Sequence, residues 1–275
     1  MFTKNNSAED TDMKRNSFAG IEAKVHQDSN KKTFNFDEAQ LDSTENNNFV
    51  LGLLNSFRKI SHNEHDGTGE WRWLQKNKQN NFINALLEKN TEVVSQFLTN
   101  MFKNQATYGY LSPSFSDALH ATQKVASDIL CNLDSCFEFS DITDITPLVS
   151  KYGNPYELKV GEHSILPDTP RHYYYSYNVF RLLKDNFAPH LVEIGGGYGG
   201  LCLQNWKRFD GNCTIVNVDL FPALVTAYFY LTKHGVPVNL VSQKNGVVKK
   251  NMVNLISAND SSILSKIVPK SDINF

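Results

Sequence analysis

Leu191-Val192-Glu193-Ile194-Gly195-Gly196-Gly197-Tyr198-Gly199-Gly200 is the stretch around which the chain is organised. A short apolar run enters a glycine-rich turn. A helical pattern then follows in Leu201, Leu203, Trp206 and Phe209. The reading is strand, tight turn, helix. Glycines in such a turn permit positive φ and let a ligand approach the backbone. The N–H groups at the start of the helix have no partners within it and face that ligand. Downstream, Cys213-Thr-Ile-Val-Asn-Val218 is rich in β-branched residues and reads as a second buried strand, ending at Asp219.

Two kinds of nucleoside cofactor suit this arrangement. Gly195, Gly197 and Gly200 match the dinucleotide pattern G-x-G-x-x-G. Asp219, about twenty residues on, is placed to bond ribose hydroxyls in either class. Glu193 separates the two. A pyrophosphate would be repelled by a carboxylate two residues before the first glycine, whereas a sulfonium and an ammonium would be attracted. The sequence therefore favours S-adenosylmethionine, with an NAD-dependent enzyme as the alternative.

Composition narrows the classes further. The chain has 275 residues, 40% of them hydrophobic, enough for one large or two modest domains. A net charge of −2 provides no basic footprint for nucleic acid. No apolar run approaches the roughly 18 residues of a membrane span, and the first residues lack the apolar core of a signal peptide. Cys131, Cys136, Cys202 and Cys213 have no metal-ligand spacing. Free thiols in a reducing, cytoplasmic setting are expected, and no metal site.

Residues 1–47 are polar, without sustained periodicity, and read as disordered. His62 and His65 precede Asp66-Gly-Thr-Gly69 and read as a solvated loop rather than metal ligands. Residues 48–140 read as a helical domain, with a first helix over Phe49–Ile60, one capped by Thr91, and one from Ser116 through Leu133. Residues 141–190 connect it to the motif. Their last part is a helix with Thr169 as N-cap and Pro170 at the first position. Its tyrosines lie on two sides, which suggests burial on both. Past Asp219, a helix begins at Pro222 and stops at Gly235, and Val236–Val241 reads as a third strand. Val247-Val248 and Val253-Asn-Leu-Ile-Ser257 read as an irregular strand or hairpin, Ser262–Val268 as a short helix, and Ser271–Phe275 as the start of another strand. The expected fold class is α/β: an N-terminal all-α region followed by an incomplete Rossmann-like parallel sheet over residues 191–275.

From about Lys151 to Phe275 the chain resembles the sugar O-methyltransferases, a branch of the class I S-adenosylmethionine-dependent methyltransferases. The resemblance rests on the Tyr152-Gly-Asn-Pro-Tyr156 turn, the tyrosine-rich helix, Val192-Glu-Ile-Gly-Gly-Gly-Tyr-Gly-Gly200, and Val218-Asp219-Leu220 with the Tyr228-Phe-Tyr-Leu231 helix. It implies S-adenosylmethionine as cofactor, held by Glu193, Gly195, Gly196, Gly197, Tyr198, Gly199, Asp219 and Leu220. It implies methyl transfer to a sugar hydroxyl, with His172 the candidate general base. The chain departs from the family in having Asp219-Leu-Phe-Pro where proline would directly follow leucine. It also ends before the later strands that would carry the acceptor half, so a truncated chain is expected. The remaining rival is a nonenzymatic remnant or interaction module.

In this reading Leu191–Ile194 is central, Thr214–Val218 and Val238–Val241 lie on one side, and only Asp272–Phe275 is available on the other. An under-covered edge exposes unpaired backbone groups and invites self-association. Expressed alone, residues 1–275 are expected to associate in size-exclusion chromatography and to transfer no radiolabelled methyl group to a sugar panel. A soluble monomer with turnover would overturn this expectation.

Overall fold

The computed structural model describes residues 43–57, 69–107, 152–155, 158–160, 163–166, 168–242, 246–260, 263, 266 and 272–274. His62, His65, the helix expected from Ser116, Cys131, Cys136 and residues 1–42 lie outside the described residues. The N-terminal helices are α1 (Ser43–Phe57), α2 (Gly69–Asn77), α3 (Asn80–Glu88) and α4 (Thr91–Thr99). Two short 3-10 turns follow, over Met101–Lys103 and Gln105–Thr107. A small antiparallel pair, β1 (Leu158–Val160) and β2 (His163–Ile165), precedes α5 (Thr169–Leu183). The remainder is β3 (His190–Ile194), α6 (Gly200–Arg208), β4 (Thr214–Asp219), α7 (Phe221–Lys233), β5 (Val238–Val241), β6 (Val253–Ser257) and β7 (Ile273–Asn274).

The last five strands form one all-parallel sheet in the order β5-β6-β4-β3-β7. The α/β class and the parallel sheet are as the sequence reading expected. So is the placement of β7 on the far side of β3, but β3 itself is next to the edge and β4 holds the middle, a correction that follows from the insertion of β6. The position of β6 is a correction. Of the two alternatives, strand or hairpin, Val253–Ser257 is the strand; it is regular, wholly buried and inserted between β4 and β5, a place the sequence reading did not give it. Its Asn254, which interrupts the apolar run, is what obscured it. The buried amide accepts from Lys249 N–H and Asn239 Nδ2 and donates to the carbonyls of Ile215, Lys249 and Met252. A buried amide so supplied costs little. β5, by contrast, alternates in burial as an edge strand does.

The sheet has two apolar faces. Leu191, Ile215, Val253 and Leu255 pack with α6, α7 and the N-terminal helices in one cluster that extends from Val50 to Leu255. Val192, Val216, Val218, Val241 and Ile256 form a smaller cluster on the other face with Ile263. The helical region thus shares a core with the sheet. Phe49 and Phe57 of α1 stack on Phe221, Tyr228 and Phe229 of α7. α1 also begins at Ser43, inside the segment expected to be disordered.

Three finer expectations are corrected. Asn90, not Thr91, caps α4, accepting from Val93 N–H at 3.2 Å. Asp168, not Thr169, occupies the cap position of α5. α5 buries one stripe only: Tyr173, Ser176 and Val179 are buried, while Tyr174, Tyr175 and Leu182 are exposed. Tyrosine tolerates exposure because its hydroxyl end is wet.

The Tyr152-Gly-Asn-Pro turn is an anchor. Gly153 O accepts from Phe102 N–H, and Lys103 Nζ and Asn100 bond the Asn154 side chain. Gly153 has φ +82, and a Cβ there would lie 2.8 Å from the Phe102 ring. Phe102 in turn meets Tyr198 and Tyr230 edge-on, at 4.8 and 5.8 Å between centroids. Phe102→Ala is expected to cost about 3–5 kcal/mol and to lower the urea midpoint without splitting the transition. Two separate transitions would show that the helical region and the sheet fold independently.

Candidate functional site

The carboxyl ends of β3 and β4 carry the glycine turn and Asp219. β3 has β4 on one side and β7 on the other, so the chain reverses its direction of strand addition here. Open parallel sheets hold ligands at such a point, outside the strand ends.

The turn needs glycine for several separate reasons. Gly195, Gly197 and Gly199 have φ of +77, +55 and +83, the left-handed region that side chains avoid. Gly195 is exposed at the mouth, and its N–H donates to Val218 O at 2.8 Å, locking the turn to β4. Gly196 lies over Asn217: a Cβ would be 2.7 Å from its Oδ1. At Gly199, the N-cap of α6, a Cβ would lie 3.0 Å from Leu231. At Gly200 it would lie 2.5 Å from the His172 ring.

Asp219 closes the site from the β4 side. Its Oδ2 accepts from Gly197 N–H and its Oδ1 from Leu220 N–H, both at 2.7 Å. Burial raises its pKa, and those two bonds pull it back. Glu193 is beneath the turn rather than at its mouth. It is 6% exposed, and its Oε2 accepts from the Cys202 thiol at 2.9 Å. Burial pushes Glu193 up to about 7; the thiol bond opposes the shift and the Asp219 charge adds to it. Near neutral pH this carboxyl is therefore only partly ionised.

The structure brings Glu193, Gly195, Gly196, Gly197, Gly199, Asp219 and Leu220 together around the turn. Tyr198 and His172 differ. The Tyr198 ring is buried among Phe102, His172 and Tyr230, so this residue can offer a ligand only backbone. His172 lies behind the start of α6, in a cleft with Leu166, Thr169, Tyr198, Gln204 and Tyr230 that holds little more than a water. Burial lowers its pKa to about 4, the Asp168 carboxylate opposing and Arg171 adding. An imidazole of that pKa takes up little proton at neutral pH, so the general-base assignment is not retained.

Three residues escaped the sequence reading. Ile194, 64% exposed at the end of β3, gives the mouth an apolar lip. Asn217 is fully buried with neither amide atom partnered. Asp260, three residues past the end of β6, is fully buried with both carboxylate oxygens unpartnered. The sequence signal for Asn217 and Asp260 is a polar residue inside, or just beyond, a β-branched run. Among the described residues no cluster of histidine, cysteine and carboxylate could hold a metal, and no helix is long and apolar enough to cross a membrane.

No family model, curated protein or solved structure matches this chain.

The raised Glu193 pKa has a testable sign. Its folded value is about 7 against 4.5 for the free side chain. The contribution is fully present below pH 4.5 and is lost as pH rises through 7. Over that window this one group should reduce stability by on the order of 3 kcal/mol. Urea unfolding of Glu193→Gln at pH 5 and pH 8 should show a smaller loss than the parent. Equal losses would mean that Glu193 titrates normally.

Proposed function

We propose that the crevice at the carboxyl ends of β3 and β4 binds S-adenosylmethionine, and that the chain serves methyl transfer to a sugar hydroxyl on a Rossmann-like sheet. The observation that carries the cofactor reading is the bond from Gly197 N–H to Asp219 Oδ2. A dinucleotide site needs its glycine-turn N–H groups for pyrophosphate. Here a carboxylate already takes one of them, and a second carboxyl, Glu193, lies beneath the same turn. Two acidic groups repel a pyrophosphate and favour a cation.

Bound there, S-adenosylmethionine supplies a methyl group carried on a positively charged sulfur. The chain's own residues divide the binding. Asp219 has lone pairs left after its two N–H bonds and accepts from ribose hydroxyls. Leu220 flanks the nucleoside, and the bare Gly195 lets the ligand reach the backbone. Asp260, beyond the strand whose Ser257 is the register partner of Asp219, is a buried acceptor for the exocyclic amine of adenine. Glu193 sets the sign of the charge admitted. The sugar acceptor rests on the family resemblance of the flanking segments.

Calorimetry should detect S-adenosylmethionine or S-adenosylhomocysteine and little NADH. Asp219→Ala should weaken that binding by about 1.5–3 kcal/mol. Gly197→Val should do more harm, since valine is excluded at positive φ. Tighter NADH binding would reverse the cofactor assignment. Failure to bind either would favour a nonenzymatic interaction module.

A further inference from the structure

Two asparagines are wholly buried in neighbouring core strands, and they differ in one respect. Asn254 of β6 is fully bonded. Asn217 of β4, also 0% exposed, has no partner for either its oxygen or its nitrogen. Leaving one such group unmade typically costs about 1–3 kcal/mol. An apolar residue would fill the position without that cost, so the amide calls for an explanation.

Its position supplies one. Asn217 and Glu193 are register partners on adjacent parallel strands. Their side chains leave the same face of the sheet, with backbones roughly 4.8 Å apart. Gly196 roofs the amide so closely that any Cβ would strike its Oδ1, Cγ or Nδ2 at 2.7–2.9 Å. Glu193 spends Oε2 on the Cys202 thiol, and its other oxygen has no such bond.

We infer that Asn217 is a positioning residue of the cofactor site: its amide is the partner that Glu193 takes up on ionising, which holds the carboxylate aimed at the glycine turn as a socket for a cationic ligand. An amide can serve both forms of the acid. Its oxygen accepts from the protonated carboxyl, and its nitrogen donates to the carboxylate. Donation to the charged form favours that form. The titratable groups that act on Glu193 are Cys202 on α6 and Asp219 at the end of β4. The Asp219 charge disfavours a second one nearby, whereas the Cys202 thiol donates to Glu193 and favours its charged form. The neutral donor Asn217 is the counterweight. The cofactor part of this inference rests on the function proposed above; the coupling between Asn217 and Glu193 does not.

The test is the titration of the Glu193 carboxyl, followed by carbon-detected NMR on the ligand-free chain, in the parent, Asn217→Leu, Asn217→Thr and Gly196→Ala. Asn217→Leu should move the midpoint upward by about one pH unit, a tenfold change in ionisation. Asn217→Thr keeps a hydroxyl donor and should fall between. Gly196→Ala displaces the amide and should act like Asn217→Leu even if that variant fails to fold. S-adenosylmethionine affinity, measured by calorimetry from pH 6 to 8.5, should rise with pH in the parent. In Asn217→Leu it should be about tenfold weaker at pH 7 and converge on the parent at the top of the range. A Glu193 midpoint unmoved in both Asn217→Leu and Gly196→Ala overturns the inference, since a purely structural asparagine would change stability alone. A moved midpoint in a chain that binds no S-adenosylmethionine supports the coupling and overturns the cofactor reading.

Discussion

Tyr198 is the one large side chain in a turn otherwise made of glycine, and the rest of the molecule is arranged around where its ring goes. The ring is buried between Phe102, Tyr230 and His172, with edge contacts at 4.8 and 5.0 Å to the first two. Phe102 comes from the helical region, Tyr230 from α7 and His172 from α5. A turn of bare glycines would have many conformations to lose on folding. Pinning it by one aromatic residue fixes the backbone on either side of it. The N–H groups of the turn and the start of α6 are therefore held in place by packing behind the turn.

The same arrangement divides the polar groups. On the packed side are His172, with its pKa lowered to about 4, and the Tyr198 phenol, 3.5 Å from Asp168. Both are kept neutral by burial. On the strand-end side are Glu193, Asp219 and Asp260, all carboxyls. Aromatic rings thus line the packed side of the turn, with the Asp168 carboxylate beside Tyr198, while Glu193 and Asp219 hold the strand-end side.

The helical region is part of this construction rather than an appendage. Phe49 and Phe57 rest on α7, and the Gly153 turn lies against Phe102. A single core cluster therefore runs from α1 to β6. The small residue at Gly153 permits the approach, and the bonds from Lys103 and Asn100 to Asn154 hold its register. The Tyr152–Tyr156 stretch is one of those on which the resemblance rests. The contacts make its described residues, 152–155, a structural hinge point between helices and sheet.

By itself the sequence determined the strand–glycine–helix unit, the second strand ending in Asp219, and the helix closed by Gly235. These depend on local rules: β-branched runs, positive φ and residues that begin or end helices. It also determined that β3 is an interior strand, because a glycine turn after a buried strand belongs at the strand ends of a parallel sheet. Tertiary structure decided the rest. The regularity of β6 and its place between β4 and β5 were illegible because Asn254 breaks its apolar run, and only its bonds to Asn239, Lys249 and Ile215 make that residue acceptable inside. The side on which His172 and Tyr198 lie depends on how α5 packs against α6, which no local pattern encodes. Asn217 and Asp260 matter because their polar atoms lack partners. Partnership is a property of three-dimensional neighbours, so it can be read only after the chain has folded.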